Sequence, residues 1–460
     1  MPDLSWDLAE IAQIVGGTLT GEGSIFPRCV CIDSREATAK SLFVALKGER
    51  LDGHDFARQA ALDGAAGLIV EREIEGVACS QILVNDSLEA LQSLGHAARV
   101  SFGGKVAAIT GSSGKTTTRR ILASILGQQG RAHQPKKNFN NHIGVPITLM
   151  ELNESFETAV FELGCSDFGE IELLTRLVDP DVALVTNVGP AHLEKLGDLD
   201  GVTRAKGELF VGLRRDATAV VNLDDPRVAQ MKTSAERRIT YGAAQGTQVK
   251  LESCVQMGAR GQSLVMTVEG KSVSARLPLL GRHNAVNALA ATAAAIGMGI
   301  ELTHISPGIE SVRQFTGRLE LKTGPRGSLI IDDTYNSNPE SMRAALEVLV
   351  EVAGDGRRFA AISDMLELGS ASREAHEGLG GSVTEAGLTM LVTMGEGGTT
   401  VGRSAIEAGM PPERIKHADS HEEAARLLGE ILEAGDALLV KGSRGTQMEL
   451  VVANLIRGKS

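Results

Sequence analysis

Residues 106–116 read VAAITGSSGKT, an apolar run that stops at a threonine and passes through two glycines into a lysine. A strand that ends in a glycine-rich turn and restarts as a helix leaves little choice of architecture. The turn lines up backbone N–H groups, the helix adds the positive end of its dipole, and together they cradle anionic oxygen. Gly111 and Gly114 let the backbone approach oxygen atoms that a Cβ would block. Lys115 supplies a point charge for β- and γ-phosphates, and the Thr116 hydroxyl can hold Mg²⁺. Thr110, Gly111, Ser112, Ser113, Gly114, Lys115, Thr116 and Thr117 are thus the candidate nucleotide cradle. In the usual spacing, G-x-x-x-x-G-K-[ST], the first glycine falls at Ile109, so this loop is a shorter form, T-G-x-x-G-K-T.

The flanking sequence repeats the α/β pattern in three blocks. In residues 1–103, LFVAL (42–46) and GLIV (67–70) read as strands, and SLEALQSLGHAARV (87–100) as an amphipathic helix. In residues 104–319, short β-rich runs end in polar residues at 158–164, 182–189 and 218–225, where strand ends carry ligand groups. In residues 320–460, strands are expected at SLIIDDTY, FAAISDM, LTMLVTMG and DALLVKGS. A helix between the first two has Asn338 as N-cap and Pro339 at its first position, and it ends at Gly354. This last block reads as a small doubly wound domain.

A chain of 460 residues is long enough for two to four domains. Its net charge of −12 argues against non-specific nucleic-acid binding and means that an anionic substrate needs local positive charge. The five cysteines form no C-x-x-C pair and read as small buried hydrophobes of a reducing compartment. The acidic N-terminus is unlike a signal peptide, and the alanine-rich window 285–305 is broken by Asn287, Glu301 and His304. A cytoplasmic protein without a membrane span is expected.

The short phosphate loop occurs with NFNNHIGVP (138–146), FELG (161–164), TNVGPAHLE (186–194), AKGELF (205–210), GRHNAVNALAA (281–291) and GR (317–318). Further along stand DDTYNSNPESM (332–342), DMLELG (364–369) and KGSRG (441–445). Over essentially its whole length the chain resembles the Mur ligases, which build the peptide stem of the peptidoglycan precursor, and the related folylpolyglutamate synthases. Ser363 departs from the glycine usual before Asp-Met. The resemblance implies an N-terminal α/β UDP-binding domain, a central P-loop ATPase-like α/β domain and a C-terminal Rossmann-like doubly wound domain. DTYNSNP and the paired asparagines of NFNN resemble the last cytoplasmic ligase of the series, which joins D-alanyl-D-alanine to UDP-MurNAc-tripeptide.

The implied chemistry is activation of a carboxylate by ATP, to an acyl phosphate that an amine attacks, with release of ADP and phosphate. Lys115, Glu162, His192 and Lys206 are the implied catalytic residues, and Thr116, Glu162, His192 and Lys206 the implied holders of two Mg²⁺ ions. Glu162 otherwise reads as a salt-bridged strand-end acid, and His192 as a structural histidine. The matching lysine of several family members is carbamylated by CO₂; Lys206 is carbamylated, pairs with Glu208, or binds phosphate directly. Asn284 and Asn287 share a helix face, and the resemblance places adenine near Asn284. It places Arg318 by the phosphates and Asp333 by the ribose, whereas the residues alone allow a surface salt bridge between them. Ser34 and Arg35 match the region that recognises the UDP end, and Arg35 otherwise reads as an exposed arginine. Asn140, Asn141, Asn336, Asn338, Lys441 and Arg444 are candidates for the peptide and dipeptide. A monomer is expected. The rival readings are a related ligase adding a different amino acid, a P-loop phosphotransferase that releases its product, and a nucleotide-gated binding module.

Overall fold

The structure, a computed structural model, describes residues 4–48, 50–135, 138–190 and 192–457, with three sheets in succession. Glu49, in the segment GERLDGHDF (48–56) that the resemblance assigns to the UDP end together with Ser34 and Arg35, and Ala191 of segment 186–194 lie outside the described residues.

The first sheet runs in the order Thr18–Thr20, Ser80–Leu83, Gly67–Val70, Ser41–Val44, Cys29–Cys31, antiparallel at the first pairing and parallel across the others. Ser41–Val44 and Gly67–Val70 are buried at every position, as continuous apolar runs in parallel sheets are. Helix Ser87–Ser101 starts where Asp86 accepts the N–H groups of Leu88 and Glu89. It packs on helix Gly144–Leu149 so closely that a Cβ on Gly95 would stand 2.6 Å from Pro146. Arg99, 7% exposed, donates from Nε to the Val178 carbonyl and from Nη2 to the Asp179 carbonyl and the Asp181 carboxylate. The last carbonyls of helix Glu170–Val178, which have no partner in their own helix, are satisfied from the first unit.

The nine-stranded second sheet is parallel from Ala132–His133 through Thr158–Glu162, Lys105–Thr110, Val182–Val185, Thr218–Asn222 and Arg237–Gly242 to Val249–Gln256. Strands Gln262–Val268 and Lys271–Leu277 extend it as an antiparallel hairpin. Helices Lys115–Leu126 and Arg282–Gly297 cover one face, and Glu170–Val178 and Leu199–Val211 the other. The alanine-rich window is mostly that buried core helix, and among the described residues no helix is long and apolar enough to cross a membrane. Strand Lys105–Thr110 lies between Thr158–Glu162 and Val182–Val185. Its carboxyl end therefore opens where successive strands leave to opposite sides, the usual place for a ligand.

The third sheet runs Glu320–Thr323, Leu329–Asp333, Ala437–Lys441, Arg358–Ile362, Met390–Thr393, Ile415–His417, parallel after its first pair. Helix Pro339–Ala353 forms as expected. The Asn338 side chain accepts the Ser341 N–H, and Gly354, at φ +53°, ends the helix in a backbone region that favours glycine. The cysteines depart from expectation in part. All are free thiols, but only Cys31 and Cys165 are buried, while Cys29, Cys79 and Cys254 are half-buried.

Replacing Arg99 with alanine strands two buried helix-end carbonyls and one side of Asp181. Urea unfolding should show a loss of about 2–4 kcal/mol. Arg99→Lys, which keeps the charge but not the fork, should recover less than half.

Candidate active site

The phosphate loop is rigidly built. Gly111 has φ +146°, and a Cβ there would stand 1.8 Å from the Thr186 hydroxyl; Gly114 has φ +79°, and its Cβ would meet the Asn287 side chain at 2.3 Å. Only glycine fits either place. Segment 186–189 clamps the loop from the neighbouring strand. The Ser112 N–H donates to the Asn187 carbonyl at 3.0 Å, the Ser113 N–H to Asn187 Oδ1 at 2.9 Å, and the Thr186 hydroxyl to the Ser113 carbonyl at 2.7 Å. The Ser112 hydroxyl donates to the Gly189 carbonyl, and the buried Thr110 hydroxyl to that of Leu163. Thr117 is buried in the first turn of the helix. Lys115 Nζ folds back onto the Gly111 carbonyl at 2.7 Å. Burial lowers its pKa, with the Glu162 charge opposing.

Glu162, 4% exposed, gathers groups from separate elements. Its Oε2 accepts the Thr116 hydroxyl at 2.8 Å, its Oε1 accepts Asn140 Nδ2 at 3.2 Å, and Arg119 Nε lies 3.8 Å from Oε2. Arg119 and Arg120 were not among the candidate residues, although Arg119 follows Lys115 by one helical turn in KTTTRR, and that spacing is a readable signal. Arg120 stacks on Phe315 at 4.5 Å. Burial lowers the pKa of both arginines.

Lys206 is 2% exposed, and its Nζ meets the Cys165 thiol at 3.9 Å. The expected alternative partner, Glu208, is turned away and accepts the N–H groups of Gly169 and Glu172. Burial, then the Lys115 charge, brings Lys206 down to about 8. His192, at φ +52°, places Nδ1 3.8 Å from Glu367 of the third unit. Burial, then the Lys206 charge, lowers its pKa, which favours the neutral ligand form of the ring.

Arg318 bridges the second and third units. Its guanidinium stacks on Tyr335 at 4.1 Å and donates to the Thr116 hydroxyl at 3.3 Å. Asp333 is engaged elsewhere, accepting Lys441 Nζ at 2.6 Å and the Leu319 N–H at 3.1 Å, so the surface salt bridge with Arg318 does not describe this pair. Asn284 donates to the Leu280 carbonyl and accepts from Asn287, whose Oδ1 also accepts the Thr118 hydroxyl. Asn287 is thereby a packing group beneath Gly114.

The acceptor candidates are more dispersed. Asn140 reaches the site, while exposed Asn141 caps the turn before helix Gly144–Leu149 by accepting the Gly144 N–H. Ser34 and Arg35 lie in a short 3₁₀ turn of the first unit, where Arg35 is exposed and paired to Asp33 at 2.6 Å. Exposed Asn336 accepts the Ser337 N–H, Asn338 is consumed as a helix cap, and Arg444 pairs with Glu449. Lys441 is 1% exposed and committed to Asp333 and the Asn336 carbonyl, so it acts through Asp333 in this arrangement.

A short phosphate loop, a carboxylate on the adjacent strand and a cation at the boundary with the next unit define a class. These are nucleotide-dependent enzymes that enclose the phosphates between two domains. Family models match residues 28–99 (Mur ligase family, catalytic domain), 109–295 (Mur ligase middle domain) and 317–444 (Mur ligase, glutamate ligase domain). The chain belongs to the Mur ligase family. It is 35% identical over 451 residues to the UDP-N-acetylmuramoyl-tripeptide--D-alanyl-D-alanine ligase of Bacillus subtilis, covering 97% of each chain. A crystal structure of MurF from Acinetobacter baumannii, 33% identical, superposes with a TM-score of 0.90 and covers 99% of this chain and 100% of the other. MurF ligase from Thermotoga maritima in complex with ADP, 27% identical, gives 0.82 over 93% and 97%.

The depressed Lys206 sets a sign for stability. The folded value lies below the unfolded one, so the cost of burying the ammonium is fully present below about pH 8 and falls away as pH rises from 8 towards 10.5. In CO₂-free buffer, Lys206→Met should be more stable than the wild type at pH 7, with the gap narrowing by pH 10 in denaturant titrations.

Proposed function

We propose that this chain is the ATP-dependent ligase that joins D-alanyl-D-alanine to UDP-MurNAc-tripeptide in peptidoglycan precursor synthesis. The carrying observation is its full-length relation to ligases named for that reaction, at 35–36% identity. The preformed loop and Glu162 supply a physical basis. In the reading, residues 1–103 bind the UDP end, 104–319 hold ATP and 320–460 bring the dipeptide; the protein works as a cytoplasmic monomer.

The tripeptide carboxylate is a poor electrophile. One of its oxygens attacks the γ-phosphorus, ADP departs, and an acyl phosphate results. The dipeptide amine then attacks the acyl carbon, the C–O bond to phosphate breaks, and the amine proton is lost to solvent. That amine has an ordinary pKa near 7.7–8.0 and needs modest help to be neutral. Lys115 and Arg318 meet the negative charge of the transferring group, and the loop N–H groups hold its oxygens in place.

Glu162 and Thr116 offer hard oxygen donors suited to Mg²⁺, which favours one or two carboxylates completed by substrate phosphates. Among the described residues no group of three or more His, Cys, Asp or Glu side chains could hold a metal ion. When bound, Mg²⁺ neutralises phosphate charge. His192 and Lys206 are the proposed holders of a second ion, with Lys206 as its carbamate. The neutral amine adds to CO₂, forming the N–C bond and releasing one proton. A buried amine with a pKa of about 8 and no carboxylate partner is well disposed to this before phosphates arrive.

Mass spectrometry of a reaction with UDP-MurNAc-tripeptide, D-alanyl-D-alanine and Mg²⁺–ATP should show the amide product with ADP and phosphate in equal amounts. A released phospho-product, or phosphate formed without the dipeptide, overturns the reading. Lys115→Ala should lower turnover at least ~100-fold with unchanged circular dichroism.

For Lys206, ¹³CO₂ should give a carbamate carbon resonance that Lys206→Ala lacks. The variant should lose most activity and regain part of it with formate or acetate. An active wild type without the resonance would make Lys206 a direct phosphate binder.

A further inference from the structure

Arg119 is the least explained charge near the site. Its side chain is 4% exposed, and its Nη1 donates to the Pro135 carbonyl at 2.5 Å. Its Nε is fully buried and makes no hydrogen bond, with Glu162 Oε2 at 3.8 Å as the nearby carboxylate. A buried donor without an acceptor is costly, and a guanidinium more so than an amide. The cost is sensible if the acceptor arrives during the reaction cycle.

We propose that Arg119 is the positioning residue that links occupancy of the acceptor segment 138–141 to the phosphate site. The proposal rests on the ligase reading above. Its Nη1 is fixed on the Pro135 carbonyl, and its Nε faces the oxygen that also takes the Thr116 hydroxyl. Asn140, from the same segment, donates to the other oxygen. When an acceptor draws the Asn140 amide away, Oε1 loses its donor, and the buried Arg119 Nε is free to close on Oε2, where it competes with the Thr116 hydroxyl. Closing from 3.8 Å to hydrogen-bond distance takes about 1 Å. The Thr116 hydroxyl is then released towards the phosphates and their cation. The donors on Glu162 are exchanged, and no covalent step is involved.

Such a relay is a coupling between two binding equilibria, so it is reciprocal and can be read without turnover. Calorimetry of Mg²⁺–ADP binding, with and without saturating UDP-MurNAc-tripeptide, gives the ratio of the two affinities. The wild type should show a ratio of at least about fivefold, in the usual range of coupled sites. Arg119→Met should bring the ratio below about twofold while each ligand alone binds within about threefold of wild type. Arg119→Lys, which keeps the charge but cannot reach Pro135 and Glu162 together, should do the same and carries the test if the methionine variant does not fold. A wild-type ratio of one, or an unchanged ratio in a folded variant, overturns the relay. Product formation by the wild type, scored separately by mass, reports on the ligase reading itself.

Discussion

A carboxylate buried at the end of a parallel strand must find donors for its oxygens within a few ångströms. At Glu162 they come from the phosphate-loop helix through Thr116 and from the acceptor segment through Asn140, with the Arg119 charge behind. Glu162 is the side chain on which the two elements meet. The loop is non-repetitive backbone with two glycines at positive φ, and segment 138–141 has no regular structure. Glu162 ties them to a strand buried at Ala159 through Phe161. The side chain suited to metal binding is thus also the one that organises the site, as expected where a ligand has to be pre-oriented.

The overall charge of −12 opposes the binding of nucleotide, UDP-sugar and peptide carboxylate together. The structure answers with locally placed cations. Lys115 and Arg119 lie one turn apart on one helix with Arg120 next to Arg119, and Arg318 reaches in from the linker to the third unit. Burial, with repulsion from the Arg318 charge, lowers the pKa values of Lys115, Arg119 and Arg120. In the proposed mechanism Lys115 and Arg318 are the charges kept for the phosphates, which is how a fixed environment favours a transferring phosphoryl group over bulk solvent.

Much of this was legible in the letters. Strands 67–70, 158–162 and 437–441 stand where unbroken apolar runs predict them, because parallel strands covered on both faces need no alternation. The phosphate loop and the Asn338 cap were equally plain, since both are local. The strands Thr18–Thr20 and Cys29–Cys31 were not, being three residues each and stabilised by their neighbours in the sheet rather than by their own composition. Strand Gln262–Val268 alternates buried and half-buried positions, and its partner Lys271–Leu277 does so only towards its end, a period-two signal that went unused among the longer α/β runs. At the site, the roles of Lys441 and Cys165 were hidden for a different reason. Lys441 meets Asp333, and Cys165 meets Lys206, across 108 and 41 residues, and no spacing rule reports a contact at that range.

The same long-range contacts explain why the chemistry belongs at a boundary between units. An acyl phosphate is prone to hydrolysis, so water has to be kept out while the amine is admitted. The third unit closes against the second at several points. Arg318 stacks on Tyr335, Glu367 faces His192, and a Cβ on Gly281 would stand 2.9 Å from Val348 of helix Pro339–Ala353. The His192–Glu367 contact is half-exposed and worth little by itself. Arg318 differs, because the residue that stacks on the third unit also donates to Thr116 in the phosphate loop. Any opening of the boundary that pulls Arg318 with Tyr335 withdraws a cation from the phosphates. On the role proposed for Arg318, closure and readiness to transfer would be set by the same side chain, and an open site would be a less reactive one.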